Sequence, residues 1–264
     1  MTRVLLALVV LALLLILGDK LAGLRRTSVP VARLTSASGG GPAPPPLRAP
    51  APAAKPDTPP PHQELSGVDR LARLAVRQRL RSEGEQIYLD SMLVATDSVL
   101  QHWVDSTGAP IRVAVVPGGP ADYAPQMAGY MQDALARWED LNLGFRFTVD
   151  EDTVGADITV RWIDRFPIAR AGRTDVTSDQ RGHIRHALIQ LAVHDSSGRK
   201  IPDAGLRVVA MHEVGHAIGL PHSSDPTDVM YPSARARTLS ERDQRTAAVL
   251  YELPAGDIRD SIGQ

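Results

Sequence analysis

The stretch HEVGHAIGLPH, His212–His222, places three histidines, one glutamate and two glycines in eleven residues. Just upstream, Asp203 is placed to cap a helix beginning near Ala204, with Leu206, Val209, Ala210, Val214, Ala217 and Ile218 as its buried stripe. On such a helix His212 and His216, four apart, project from one face, one turn above the other. That spacing suits two imidazoles reaching one ion. A catalytic zinc takes three protein ligands and keeps one position for water. Glu213, beside the first ligand, can lean toward that water without occupying the metal. Gly219 falls where the helix must end, and glycine tolerates the left-handed conformation that turns the chain back and returns His222 as third ligand. Read instead as surface or core histidines, the five ordered positions have no common reason. A closed structural zinc would need a fourth ligand and would leave Glu213 without a role.

Working upstream, the pattern after Pro110 alternates. Ile111–Val116 reads as a strand rich in β-branched residues, ended by Gly118-Gly119-Pro120. Tyr123–Leu141 reads as a long amphipathic helix with Met127, Met131, Leu135 and Trp138 on one side. Phe145–Val149 and Ile158–Trp162 are short candidate strands. The acid run Asp150-Glu151-Asp152 between them has calcium-type chemistry but reads more simply as a solvated turn. Arg170–Val176 and Gly182–Val193 complete the set, closed by the turn at Asp195-Ser196-Ser197-Gly198. A mixed sheet with helices on it is an α+β architecture.

The first hundred residues read differently. Val4–Leu17 is an unbroken apolar run of fourteen residues, shorter than the about 20 of a spanning helix and suited to a secretory signal. No small-x-small cleavage site follows it, so residues 1–24 are a removed signal or an uncleaved anchor that tethers the chain to a membrane. Residues 25–65 form a linker: Ser36–Pro61 holds ten of the 21 prolines and almost no large apolar side chain, and it cannot offset its ordering entropy by burial. Ser66 is a candidate cap for a helix with Val68, Leu71, Ala72, Ala75 and Val76 at helical spacing. Tyr88, Met92, Ala95, Val99 and Trp103 suggest a second helix. Residues 66–105 are thus a helical spacer or pro-segment, residues 106–253 the main domain, and residues 254–264 a tail. The chain is expected to be exported, to the extracellular space or the cell envelope.

Composition narrows the chemistry. A formal net charge of −1 gives no electrostatic case for nucleic acid. The absence of cysteine excludes disulfides, thiolate metal sites and a cysteine nucleophile.

The motif matches the metzincin signature HExxHxxGxxH, and Asp228-Val229-Met230-Tyr231-Pro232 resembles that clan's Met-turn. HEVGHAIGLPHSSDPTDVMYP as a whole most resembles the matrixins, the matrix-metalloprotease-like family. LSERDQRTAAVLY, Leu239–Tyr251, is similar to their closing helix, with Ser240 and Asp243 spaced as a capping box.

The resemblance implies a metzincin fold: a twisted mixed five-stranded sheet with two long helices above a cleft and a small C-terminal subdomain below it. It implies one catalytic Zn2+ on His212, His216 and His222, with Glu213 as general base for metal-activated water. Met230 would form an apolar floor under the metal, and Gly219 the turn beside it. Gly172, Arg173 and Thr174 would lie on the edge strand that an extended peptide joins by backbone pairing, and Pro232 would begin the wall of a specificity pocket. The implied partner is a protein or peptide substrate. The cysteine latency motif is absent. A structural Zn2+ or Ca2+ is left undecided, because His183, His186 and His194 supply at most part of such a site. The alternative to a zinc endopeptidase is a non-catalytic zinc module that binds an extended peptide or envelope component.

Overall fold

The computed structural model describes residues 67–89, 99–104 and 108–259. The signal or anchor, the proline-rich linker and Ser66 lie outside the described residues. No helix among the described residues is long and apolar enough to cross a membrane.

Five strands form the main sheet: β2 (Ile111–Val115), β3 (Phe147–Asp150), β4 (Ile158–Ile163), β5 (Gly172–Ser178) and β6 (Ile184–Ala192), following the short β1 (Val99–Leu100). Their order is β3-β2-β4-β6-β5. All pairs are parallel except β5 with β6. The inner strands β2, β4 and β6 bury Val113, Ile158, Val160, Ile189 and Leu191, as strands covered on a face by helices must. By contrast β5, at the sheet's edge, alternates half-buried and exposed residues. Its outer backbone edge has no strand partner in this sheet.

Two helices pack together above the sheet: α2 (Gln126–Glu139) and α3 (Asp203–Ala217), the latter also against β5 and β6. The start of α2 lies three residues after the expected Tyr123. Pro125 occupies its cap position, and Tyr123 N–H donates to Pro120 O in a preceding turn. Met127, Tyr130, Met131, Ala134, Leu135 and Trp138 are its buried face. Trp138 is fully buried, and its Nε1–H donates to Met211 O at 3.0 Å, so the indole joins the core without an orphaned donor. Pro202, not Asp203, stands at the cap of α3, with no side-chain cap bond. The mixed sheet with its helices is the expected α+β class.

Several expectations need correction. The helix α1 (Gly67–Glu83) forms, but Val68 and Leu71 are 76% and 69% exposed while Val76 and Leu80 are buried. Only its C-terminal half lies on the body. Of the expected helix from Tyr88 to Trp103, Met92 and Ala95 lie outside the described residues; at its ends Tyr88 sits in a turn, and β1 pairs antiparallel with β7 (Gly256–Asp257). At Val99 the apolar spacing is equally compatible with a short strand, and pairing with a distant partner decides it. Ile87, Tyr88, Leu89 and Leu100 belong to the same hydrophobic core as the sheet and helices. On the C-terminal side Ile258 is buried there too. The acid run is a turn: Asp150 and Asp152 carboxylates accept from the backbone N–H groups of Asp152 and Val154, and Arg112 pairs with Asp150 at 3.5 Å.

Candidate active site

His212, Glu213 and His216 lie on the last two turns of α3, where the helix enters the interior, so His212 and Glu213 are 92% and 96% buried. Each ligand histidine on the helix is oriented through its Nδ1–H: His212 donates to Val229 O at 2.7 Å, and His216 to Leu220 O at 2.8 Å. A carbonyl can only accept, so both rings keep the proton on Nδ1 and aim a lone pair from Nε2. His216 Nε2 lies 3.1 Å from His212 Nε2 and 3.1 Å from His222 Nε2. With no proton left to share between His212 and His216, that approach is a convergence of lone pairs on one point. Zn–N bonds of about 2.0–2.1 Å in a tetrahedron would separate the nitrogens by about 3.3 Å. The donor set and its spacing therefore fit zinc. Burial drives the His216 pKa down to about 3 and lowers that of His212. His222 is lowered by burial and then by the charge of Arg170. Burial thus disfavours the charged form of all three imidazoles, and metal ligation requires the neutral one.

Gly219, at φ 101°, reverses the chain after α3, and a β-carbon there would stand 1.9 Å from Gln101 O. Only glycine meets both demands. The helix end is further held by Trp103 Nε1–H on Ala217 O (2.9 Å) and Tyr251 O–H on Ile218 O (3.0 Å). Met230 is fully buried against the helix backbone between the two ligands: a β-carbon on Gly215 would meet its sulfur at 2.3 Å.

The turn carrying Met230 is fixed by two buried carboxylates. Asp243 is the third residue of α4 (Glu241–Glu252) and completes a capping box with Ser240. It also accepts from Val229 N–H (2.8 Å) and from the Tyr88 hydroxyl (3.0 Å). Asp228 accepts from the hydroxyls of Ser223 and Ser240. Tyr88, Asp243, Val229 and His212 consequently form one hydrogen-bonded chain from the N-terminal segment to a ligand.

The site opens into a cleft of about 1030 Å³, lined by Gly172, Arg173, Thr174 and Pro232 along with the three histidines and Glu213. All four sequence-derived substrate candidates are therefore at the cleft, but their side chains do different things. Thr174 turns its hydroxyl inward, donating to Glu213 Oε2 at 2.6 Å. Gly172 packs so closely that a β-carbon would lie 2.3 Å from Glu213 Oε1. The guanidinium of Arg173 is exposed and bound to Asp175 at 2.7 and 2.9 Å. Burial raises the Glu213 pKa to about 7, opposed by the Thr174 hydroxyl and by Arg170. A carboxyl titrating near neutrality beside a three-imidazole site can both take and return a proton.

Sequence reasoning missed Thr174 as a partner of Glu213, and missed Gln101, Trp103, Tyr88 and Arg170 at the site. No local pattern flags them, since each acts across a long stretch of chain. Among the described residues His212, His216 and His222 are the cluster with metal-holding geometry. His194 instead bridges Asp122 and Asp164, each at 2.9 Å, and His183 lies 3.4 Å from Asp179.

The Matrixin family model matches residues 121–252, half of the 264-residue chain. The chain is 48% identical over 52 residues to the matrilysin of Felis catus, covering 20% of this chain and 16% of that protein. It is 43% identical over 56 residues to the metalloendoproteinase 1-MMP of Arabidopsis thaliana, covering 21% and 15% respectively. The matched stretch thus spans about a sixth of the length of these relatives. Family match, mixed sheet and histidine cluster agree that the chain belongs to the matrixin family of metalloproteases.

Proposed function

We propose that this chain is a zinc-dependent endopeptidase, on one principal observation: three imidazole nitrogens converge at 3.1 Å spacing beside a buried glutamate in an open cleft. His212, His216 and His222 would hold the ion, which when bound supplies a Lewis acid for the water and the scissile carbonyl. Glu213 accepts the proton of the attacking water at Oε1, while Thr174 holds Oε2 and sets the plane of the carboxylate. The same carboxyl then delivers its proton to the leaving nitrogen, a role suited to a group titrating near 7. The substrate is a polypeptide in extended form, because β5 offers a backbone edge directly beside Glu213. Pro232, which also lines the cleft, would begin the wall facing the substrate side chain. The apolar Val4–Leu17 and the proline-rich Ser36–Pro61 support placement outside the cytoplasm, tethered or released.

The test compares wild type and Glu213→Ala for zinc content and for cleavage of a random-peptide library, with and without a chelator. Cleavage should fall by roughly 10²–10⁴ in the variant at unchanged zinc content, and chelation should abolish it. A zinc-loaded wild type that binds peptides without cleaving them would replace this reading with a non-catalytic binding module.

A further inference from the structure

Three arginines line the cleft, and two of them are already neutralised. Arg173 is bound by Asp175, and Arg199 by Asp195 at 3.0 and 3.1 Å. Arg170 is exposed, lines the cleft, and has no side-chain hydrogen bond or ion pair among the described residues. Its backbone is tied at the start of the edge strand: Arg170 N–H donates to Ile168 O at 2.7 Å, and the ladder begins at the next residue, where Ala192 N–H donates to Ala171 O at 2.8 Å. Gly172, against Glu213, is two residues further, about 7 Å along an extended chain. An arginine side chain spans that distance, and Arg170 lines the same cleft as Glu213 and His222.

We propose that Arg170 selects a substrate carboxylate within two residues of the scissile bond. The proposal rests on the endopeptidase reading above. A guanidinium without an internal partner gives a carboxylate a charge-assisted, two-pronged contact, whereas a neutral isostere leaves it unpaired. The carboxylate is either a glutamate or aspartate side chain or the free C-terminus of a short peptide, and matched peptides distinguish the two.

The experiment uses the zinc-loaded full chain. Peptide pairs differ only by Glu or Gln at each of the two positions on either side of the cleaved bond, and a third pair differs only by a free or amidated C-terminus. The wild-type ratio of kcat/KM, Glu over Gln, should reach about tenfold at one position, and should fall as salt is raised. Arg170→Gln should bring that ratio close to one, and Arg170→Glu should invert it in favour of Gln. A preference confined to the free C-terminus assigns the carboxylate to the chain end. A wild-type ratio near one at every position and at the C-terminus, or a preference that survives in Arg170→Gln, overturns the proposal while leaving the endopeptidase reading intact. Failure to cleave any peptide overturns both.

Discussion

Thr174 donates a 2.6 Å hydrogen bond to Glu213 Oε2 from a strand 39 residues away. Removing that hydroxyl leaves the carboxylate free to rotate while its burial persists. Thr174→Val should therefore lower kcat by about 10- to 100-fold with KM and zinc stoichiometry little changed, measured by steady-state kinetics and metal analysis. A serine at this position keeps the donor and should restore most of the rate. Equal losses in the serine and valine variants would mean that packing of the methyl group, not the hydrogen bond, matters at Thr174. The convergence of His212 and His216 was legible because spacing on a helix is a local quantity. The partner of Glu213 was not, because it depends on which strand lies alongside α3.

At the level of elements, α4 is tied to the metal site by its first turn. Ser240 caps the helix and also donates to the buried Asp228 at 2.6 Å. Ser240→Ala removes the cap and leaves a buried carboxylate short of one donor. The expected cost is about 1–3 kcal/mol in urea unfolding, with the denaturant slope unchanged. A loss below about 0.5 kcal/mol would mean that water replaces the hydroxyl at both partners. The capping box was readable from Ser240 and Asp243 at their spacing. That the same Asp243 would also hold Val229 N–H and Tyr88 was not, since the box describes only one helix end. At Val99 the expected helix gives way to a strand for a related reason: Val99 and Leu100 pair with β7, and periodicity carries no information about a partner at Gly256–Asp257.

At the scale of the molecule, the segment before the matched family region belongs to the folded body. Leu80, Ile87, Leu89 and Leu100 are completely or almost completely buried in the common core, and Tyr88 reaches Asp243. A chain starting at Thr107 exposes the surfaces these residues cover. It should show lower zinc affinity and non-cooperative thermal unfolding compared with one starting at Gly67, by chelator competition and calorimetry. Equal affinity and equal cooperativity would make the segment dispensable.

Glu83 ties α1 to α4 by a two-pronged contact with Arg245 at 2.6 and 2.9 Å, with Arg79 as a further partner. The Arg245 hydrogen bond is the main cause that holds the Glu83 pKa below its ordinary value of 4.5. A depressed carboxylate contributes stability that is complete above that ordinary value and is lost as pH falls through the folded one. Stability should therefore drop below about pH 4.5, and Glu83→Gln should remove that part of the acid profile while lowering stability at neutral pH. An unchanged acid limb in the variant would show that the pair is fully screened by solvent.

The sequence by itself determined the three clustered histidines, the glutamate beside them, the glycine that turns the chain, the capped closing helix and the order of elements from Ile111 onward. These are written in spacings of a few residues, where helix and strand geometry convert sequence directly into position. Only the tertiary structure decided that Thr174 orients Glu213, that Tyr88 supports the turn beside the histidine cluster, that β1 pairs with β7, and that Arg170 lines the cleft without a side-chain partner among the described residues. Each of these depends on residues from 39 to 158 positions apart, or on which charges find partners, and such proximity exists only once the whole core has closed.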